Sequence, residues 1–181
     1  QNIVKETFRY RIKLTKSGTL KYFSHLDWQN TFFKAVSRSK LRVAYSYGYN
    51  PTMKISMGIA LPLFCESETE LVDAEFLENY DISYVEDELS RVLPVESKVI
   101  SVRQIPKSEA SIEQTACWAE YRVKLLKFDV DKYKTLVYNT EKVLSSDEIL
   151  VEKKNKKGLV KTTNIKVSIG SHRFEDNCLF I

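Results

Sequence analysis

Phe8, Tyr10, Ile12 and Leu14 alternate with Arg9, Arg11, Lys13 and Thr15. A side-chain period of two makes this stretch a strand with one apolar face and one basic face. Lys16-Ser17-Gly18-Thr19 then reads as a turn, with Gly18 available for a positive φ. Ser24-His25-Leu26-Asp27 has the spacing of a capping box, in which Ser24 and Asp27 satisfy each other's backbone N–H. The helix it opens is expected to run to about Ser39. Leu26, Phe33 and Val36, with Phe32 or Asn30 at the margins, supply its apolar stripe.

The same rules extend the pattern. Leu41 to Tyr45 reads as a short strand, 46–52 as a loop punctuated by Gly48, Asn50 and Pro51, and Lys54 to Leu63 as an inner strand. From Glu70 to Glu78, Val72, Ala74 and Phe76 alternate with Leu71, Asp73, Glu75 and Leu77. Asp81 is placed to cap a helix carrying Ile82, Val85, Leu89 and Val92, which Pro94 stops. Lys98 to Ile105 is a last strand, closed by Pro106. The order predicts an α+β fold, a ferredoxin-like split βαβ sheet with two helices over residues 1–105. Polar residues 106–117 read as a linker. Residues 118–181 read as a second small α+β unit: a strand in 118–128, a helix capped by Asp129 or Asp131, and a basic hairpin between 149–153 and 159–169. The tail SHRFEDNCLFI is either a final strand or the sign of an incomplete unit.

Composition excludes several classes. At 43% hydrophobic residues, with ten Tyr and nine Phe, the chain can build a core and is not disordered throughout. No run of eighteen apolar residues exists, so no membrane span is expected, and QNIVKETFRYRIK lacks a secretory stretch. Cys65, Cys117 and Cys178 are too far apart for a CxxC site or an iron–sulfur cluster, so neither metal nor cofactor is expected. Sparse, odd cysteines suit a cytoplasmic protein. Residues 1–60 hold eleven Lys and Arg against two acids, and residues 61–100 hold two against eleven. Either the fold has one basic and one acidic face, or the two segments neutralise each other across adjacent strands.

Few residues offer chemistry. His25 and Asp27 stand two apart at a helix start, a spacing that turns the side chains away from each other. His25 is therefore a structural residue, an anion contact beside orphan N–H groups, or the one catalytic candidate. His172 has no partner in sequence. Glu66, Glu68, Glu70, Asp73 and Glu75 suggest either a divalent cation or, more simply, a solvated strand face. The loop offers more. Tyr47, Gly48, Asn50, Lys54 and Ser56, flanked by Arg38 and Arg42, could seat a phosphate and stack a base. With Ser24 and His25 they form the candidate ligand-binding set. Lys153, Lys154, Lys156, Lys157 and Lys161 could touch a nucleic-acid backbone by charge, or simply be solvated.

Two blocks carry a family resemblance. Thr15, Lys16, Gly18, Leu20 and Phe23-Ser24-His25-Leu26-Asp27 form the first. The second runs through Ala44-Tyr45-Ser46, Gly48, Asn50-Pro51, Lys54-Ile55-Ser56, Pro62-Leu63, Glu66-Ser67 and Glu70. Together they resemble the bacterial radical-SAM-linked domain family of uncharacterised function, whose members occur alone or joined to a radical SAM protein. Tyr47, Tyr49, Thr52 and Met57 depart from the pattern, which usually has glutamine, phenylalanine, histidine and an aromatic there. The resemblance implies an accessory or substrate-presenting role. The chain lacks the CxxxCxxC of radical SAM chemistry, so that reaction would need another polypeptide. Three functions follow as expectations: a module presenting RNA to a partner such as a radical SAM protein, a protein-binding subunit without nucleic-acid contact, or a metal-free enzyme acting on RNA through His25.

Overall fold

The computed structural model describes residues 6–155 and 158–181, so Lys156 and Lys157 of the basic hairpin lie outside the described residues. The chain divides into two compact units, 1–117 and 118–181.

The first unit follows the order strand, helix, two strands, helix, strand: β1 (Phe8–Lys16), α1 (His25–Arg38), β2 (Ile55–Met57), β3 (Ser67–Phe76), α2 (Ile82–Val92) and β4 (Val99–Ile105). All pairings are antiparallel and the strands lie in the order β2-β3-β1-β4. That is the ferredoxin-like split βαβ sheet, followed here by further helix and strand elements. Tyr10, Ile12 and Leu14 of β1, Val72, Ala74 and Phe76 of β3, and Val102 of β4 face the helices. Trp28, Phe32, Ala35 and Val36 of α1 and Val85 and Leu89 of α2 close the core from the other side. Ser24 caps α1 with the reciprocal bonds its spacing implies: Asp27 N–H to Ser24 Oγ at 3.2 Å, and Ser24 N–H to Asp27 Oδ2 at 3.1 Å.

Several local expectations change. The buried stripe of α1 is Trp28, Phe32, Ala35 and Val36, whereas Leu26 is 67% exposed. Residues 41–45 make two isolated bridges, Val43 with Phe76 and Tyr45 with Met53, rather than a strand. The expected inner strand 54–63 shrinks to three residues of edge strand, Ile55–Met57. Beyond Met57 stands Gly58, where an added Cβ would lie 3.2 Å from Ile112 Cγ2. The segment 106–117, read from sequence as a linker, crosses the helix-free face of the sheet there. It carries a helical turn, α3 (Ile112–Thr115), and buries Ile112.

That face is not a solvated basic surface. β1 lies between β3 and β4, so its cations meet the acids of β3 across the ladder: Arg9 opposite Glu75 and Arg11 opposite Asp73. Arg11 grips Asp73 with two bonds of 2.7 and 2.8 Å, and Arg9 adds a third at 2.6 Å. Both arginines also donate to the crossing segment, Arg9 to the Glu109 carbonyl and Arg11 to the Ala110 carbonyl. Of the two readings of the charge pattern, neutralisation across strands describes this sheet. Asp73, expected to be solvated, is buried.

The second unit contains β5 (Arg122–Lys124), α4 (Val130–Leu144), the hairpin β6 (Leu150–Lys154) and β7 (Val160–Asn164), and the hairpin β8 (Arg173–Glu175) and β9 (Cys178–Phe180). β5, β9 and β8 form a three-stranded sheet, and β6 and β7 pair separately. The tail is therefore a hairpin. Asp176 and Asn177 take positive φ at its two-residue turn, the conformation that such hairpins require. Asp129, the first of the two cap candidates, accepts from Lys132 N–H at 2.9 Å. Among the described residues of this unit, only Leu144, Cys178 and Leu179 are buried hydrophobics.

Candidate functional site

The residues singled out from sequence do not all gather. Ser24 and His25 sit at the start of α1 and Arg38 at its end, about 20 Å away along fourteen residues. His25 is half-buried, and its ring makes no hydrogen bond among the described residues. Arg38 donates to the Val92 carbonyl at 3.2 Å, and Arg42 is paired with Glu78 at 2.8 Å. Ser56 lies opposite Asp73 on the ladder, exposed.

Tyr47 and Lys54 do come together. They line a half-open cleft of about 440 Å³ in the first unit, with Thr7, Arg9, Tyr45, Glu75 and Lys107. Val43, Ala44 and Leu77 form its apolar floor. The loop that delivers Tyr47 is pinned at its base. Ser46 N–H donates to the Thr52 carbonyl at 2.8 Å, and Thr52 N–H donates to Ser46 Oγ at 2.9 Å. Its tip carries Gly48, Tyr49 and Asn50 into solvent. Gly48 has φ +133°, which a side chain would oppose, and Tyr49 is fully exposed.

Glu75 is the centre of the cleft's electrostatics. Its Oε2 accepts from Thr7 Oγ1 at 2.8 Å and from Lys54 Nζ at 3.1 Å. Burial pushes the carboxyl up. The bonds from Thr7 and Lys54 and the charges of Lys54 and Lys107 outweigh it and hold the group below the usual carboxylate range. Glu75 is thus an anion at neutral pH among three cations, Arg9, Lys54 and Lys107. Arg9 is already committed to Asp73 and to Glu109. Lys107 donates to no group among the described residues. The cleft keeps a positive excess and two exposed phenol rings, Tyr45 at 48% and Tyr47 at 66%.

Thr7, Arg9 and Lys107 escaped the reading of the sequence as site residues, and Glu75 entered it only among the strand acids. Pairing the basic strand 8–15 with the acidic strand 70–78 would have brought Arg9 and Glu75 together. Nothing local announced Lys107, which stands two residues past Ile105, the partner of Arg9 at the end of β4.

Elsewhere, Lys153 stands directly opposite Lys161 in the β6–β7 hairpin, both exposed. His172 Nε2 lies 3.0 Å from Glu141 Oε1. Among the described residues no group of His, Cys, Asp or Glu could hold a metal ion. No helix among them is long and apolar enough to cross a membrane.

The match to known families agrees with the two sequence blocks. The family described as "Uncharacterized protein conserved in bacteria (DUF2344)" matches residues 9–180, and the chain belongs to it. This family is associated with radical SAM proteins. No curated protein matches the chain.

Proposed function

We propose that this chain is an accessory binding domain that presents RNA to a partner enzyme, a radical SAM protein, and performs no chemistry alone. The observation that carries the reading is the cleft of Tyr45, Tyr47, Lys54 and Lys107, which sets cationic and aromatic groups side by side. Phosphate is held by charge and unpaired bases by stacking, and both kinds of group stand at this one rim. The Lys153–Lys161 pair supplies a second basic surface in the other unit. Two like charges held opposite each other repel, and a polyanion relieves that repulsion. The reading keeps Lys54, Tyr47, Gly48 and Asn50 as ligand contacts. Arg42, neutralised by Glu78, and Ser24 and His25, at a separate place on the unit, contribute less.

Single-stranded RNA should bind the full chain with an affinity that falls steeply as salt rises. Replacing Lys54 and Lys107 together by Ala should reduce the slope of log affinity against log salt by about 1.4, at roughly 0.7 per lost phosphate contact. A slope unchanged in that double variant would remove the cleft from RNA binding.

A second reading, a protein-binding subunit without nucleic-acid contact, draws on the apolar side chains the second unit leaves exposed. Trp118 is 80% exposed, Val167 86%, and Leu126 fully. Co-elution of the chain with a purified radical SAM partner, together with no RNA affinity at low salt, would favour it.

A further inference from the structure

Glu75 uses only half of its carboxylate. Thr7 and Lys54 both donate to Oε2, while Oε1 accepts from no group among the described residues. The cleft therefore presents three unused functions together: an acceptor at Glu75 Oε1, a cation at Lys107, and an exposed aromatic face at Tyr47. Its volume, about 440 Å³, falls within the range of small-molecule sites and is too small for a folded duplex. An acid in a basic cleft argues against a plain phosphate site, because it weakens attraction for any anion. Its place is explained when the ligand carries a donor as well as a charge. A ribonucleotide meets all three demands, with a phosphate, a base ring and hydroxyl donors.

We propose that the cleft takes a single ribonucleotide, its phosphate held by Lys107 and Lys54, its base against Tyr47, and a ribose hydroxyl donating to Glu75 Oε1. The proposal rests on the RNA-binding reading above and narrows it to one nucleotide unit. The unit is either the 5′-phosphorylated end of an RNA or a free nucleotide, which share this chemistry. The ribose contact would also separate RNA from DNA, since only the 2′-hydroxyl distinguishes them locally.

Glu75→Gln is the diagnostic variant. The amide has one carbonyl oxygen, which Thr7 and Lys54 will claim as acceptor. Its NH2 then occupies the place of Oε1, and a donor faces the ligand's donor. Titration of the full chain with adenosine 5′-monophosphate, 2′-deoxyadenosine 5′-monophosphate and adenosine is the experiment, monitored by calorimetry. Short RNAs with and without a 5′-phosphate form the second arm. Adenosine monophosphate should bind more tightly than either analogue. Tyr47→Ala should weaken it about tenfold, as loss of one stacked base does. Lys107→Ala should weaken it about two- to fivefold. Glu75→Gln should abolish the preference for ribose over deoxyribose while the variant still unfolds in one cooperative transition on heating. The source follows from the arms: a preference for 5′-phosphorylated RNA that the same variants remove indicates an RNA end, and binding of the mononucleotide alone indicates a free nucleotide. RNA binding indifferent to Tyr47→Ala and Glu75→Gln would overturn the proposal and leave the broader reading intact. Absence of both nucleotide and RNA binding would overturn both.

Discussion

Asp73 is the residue on which the open face of the first sheet depends. It is 3% exposed and takes bonds from Arg9 and Arg11, and Arg11 is itself 6% exposed. The bonded carboxylate raises the Arg11 guanidinium above its ordinary value, and burial opposes this. Asp73→Ala strands two arginines, one of them buried, so it should destabilise the unit by about 3–5 kcal/mol in urea unfolding. Glu75 makes a prediction in pH. Because its folded carboxyl sits below the usual range, its contribution is fully present above its unfolded value. That contribution is lost as pH falls through the folded value. Glu75→Gln should therefore flatten part of the stability profile on the acid side of pH 4.5, the ordinary value, measured by unfolding at a series of pH values. Gly18 supports the turn after β1 with φ +59°, where a Cβ would come 2.9 Å from Glu96 Cγ. The Glu96 side chain can move, so the backbone conformation dominates, and Gly18→Ala should cost about 1–2 kcal/mol.

At the scale of elements, two devices hold the first unit. The first is the capping box of α1. Ser24→Ala removes a side-chain acceptor from the first turn and should cost about 1 kcal/mol in thermal unfolding. Bonds from Ser24 Oγ and Ser24 N–H hold the Asp27 carboxyl low, so the same variant should let it rise toward its ordinary value in an NMR titration. The second is the segment 106–117. The carbonyls of Glu109 and Ala110 are held by Arg9 and Arg11, and Ile112 is 3% exposed. Ile112→Ala should cost about 2–5 kcal/mol and raise amide exchange across 109–116 more than in α1 or α2. The same segment delivers Lys107 to the cleft, so loosening it should also weaken ligand binding. An element with the composition of a linker thus acts in packing and in the site.

At the scale of the molecule, the two units are unequal. The first contains the main core cluster, eighteen buried residues from six strands and helices and their connections. The second buries three hydrophobics among its described residues, and every residue of strands β6 and β7 but Asn164 is exposed. Two-stranded ribbons of that kind are marginal in water. A fragment covering 1–117 should unfold cooperatively by circular dichroism, whereas 118–181 alone should show a broad transition or none. A sharp transition for 118–181 would mean that the unit is stabilised by interactions other than hydrophobic burial.

The core-facing set of β1 and β3, the cap and start of α1, the extent of α2 and the plan of the first unit are determined by local periodicity and capping chemistry, and they stand in the sequence itself. So do the two motif blocks that mark the family. Which strand lies beside which is a different matter, because pairing is a long-range choice that local pattern does not encode. Only the fold sets the basic strand against the acidic one, turning an apparent charge asymmetry into internal ion pairs. Only the fold brings Lys107 and Glu75 to Tyr47 and Lys54, residues as much as 60 positions apart. The loop of Tyr47 was legible as a loop. That it borders a cleft was decided by the register of β1 on β3 and on β4, just past whose end Lys107 stands.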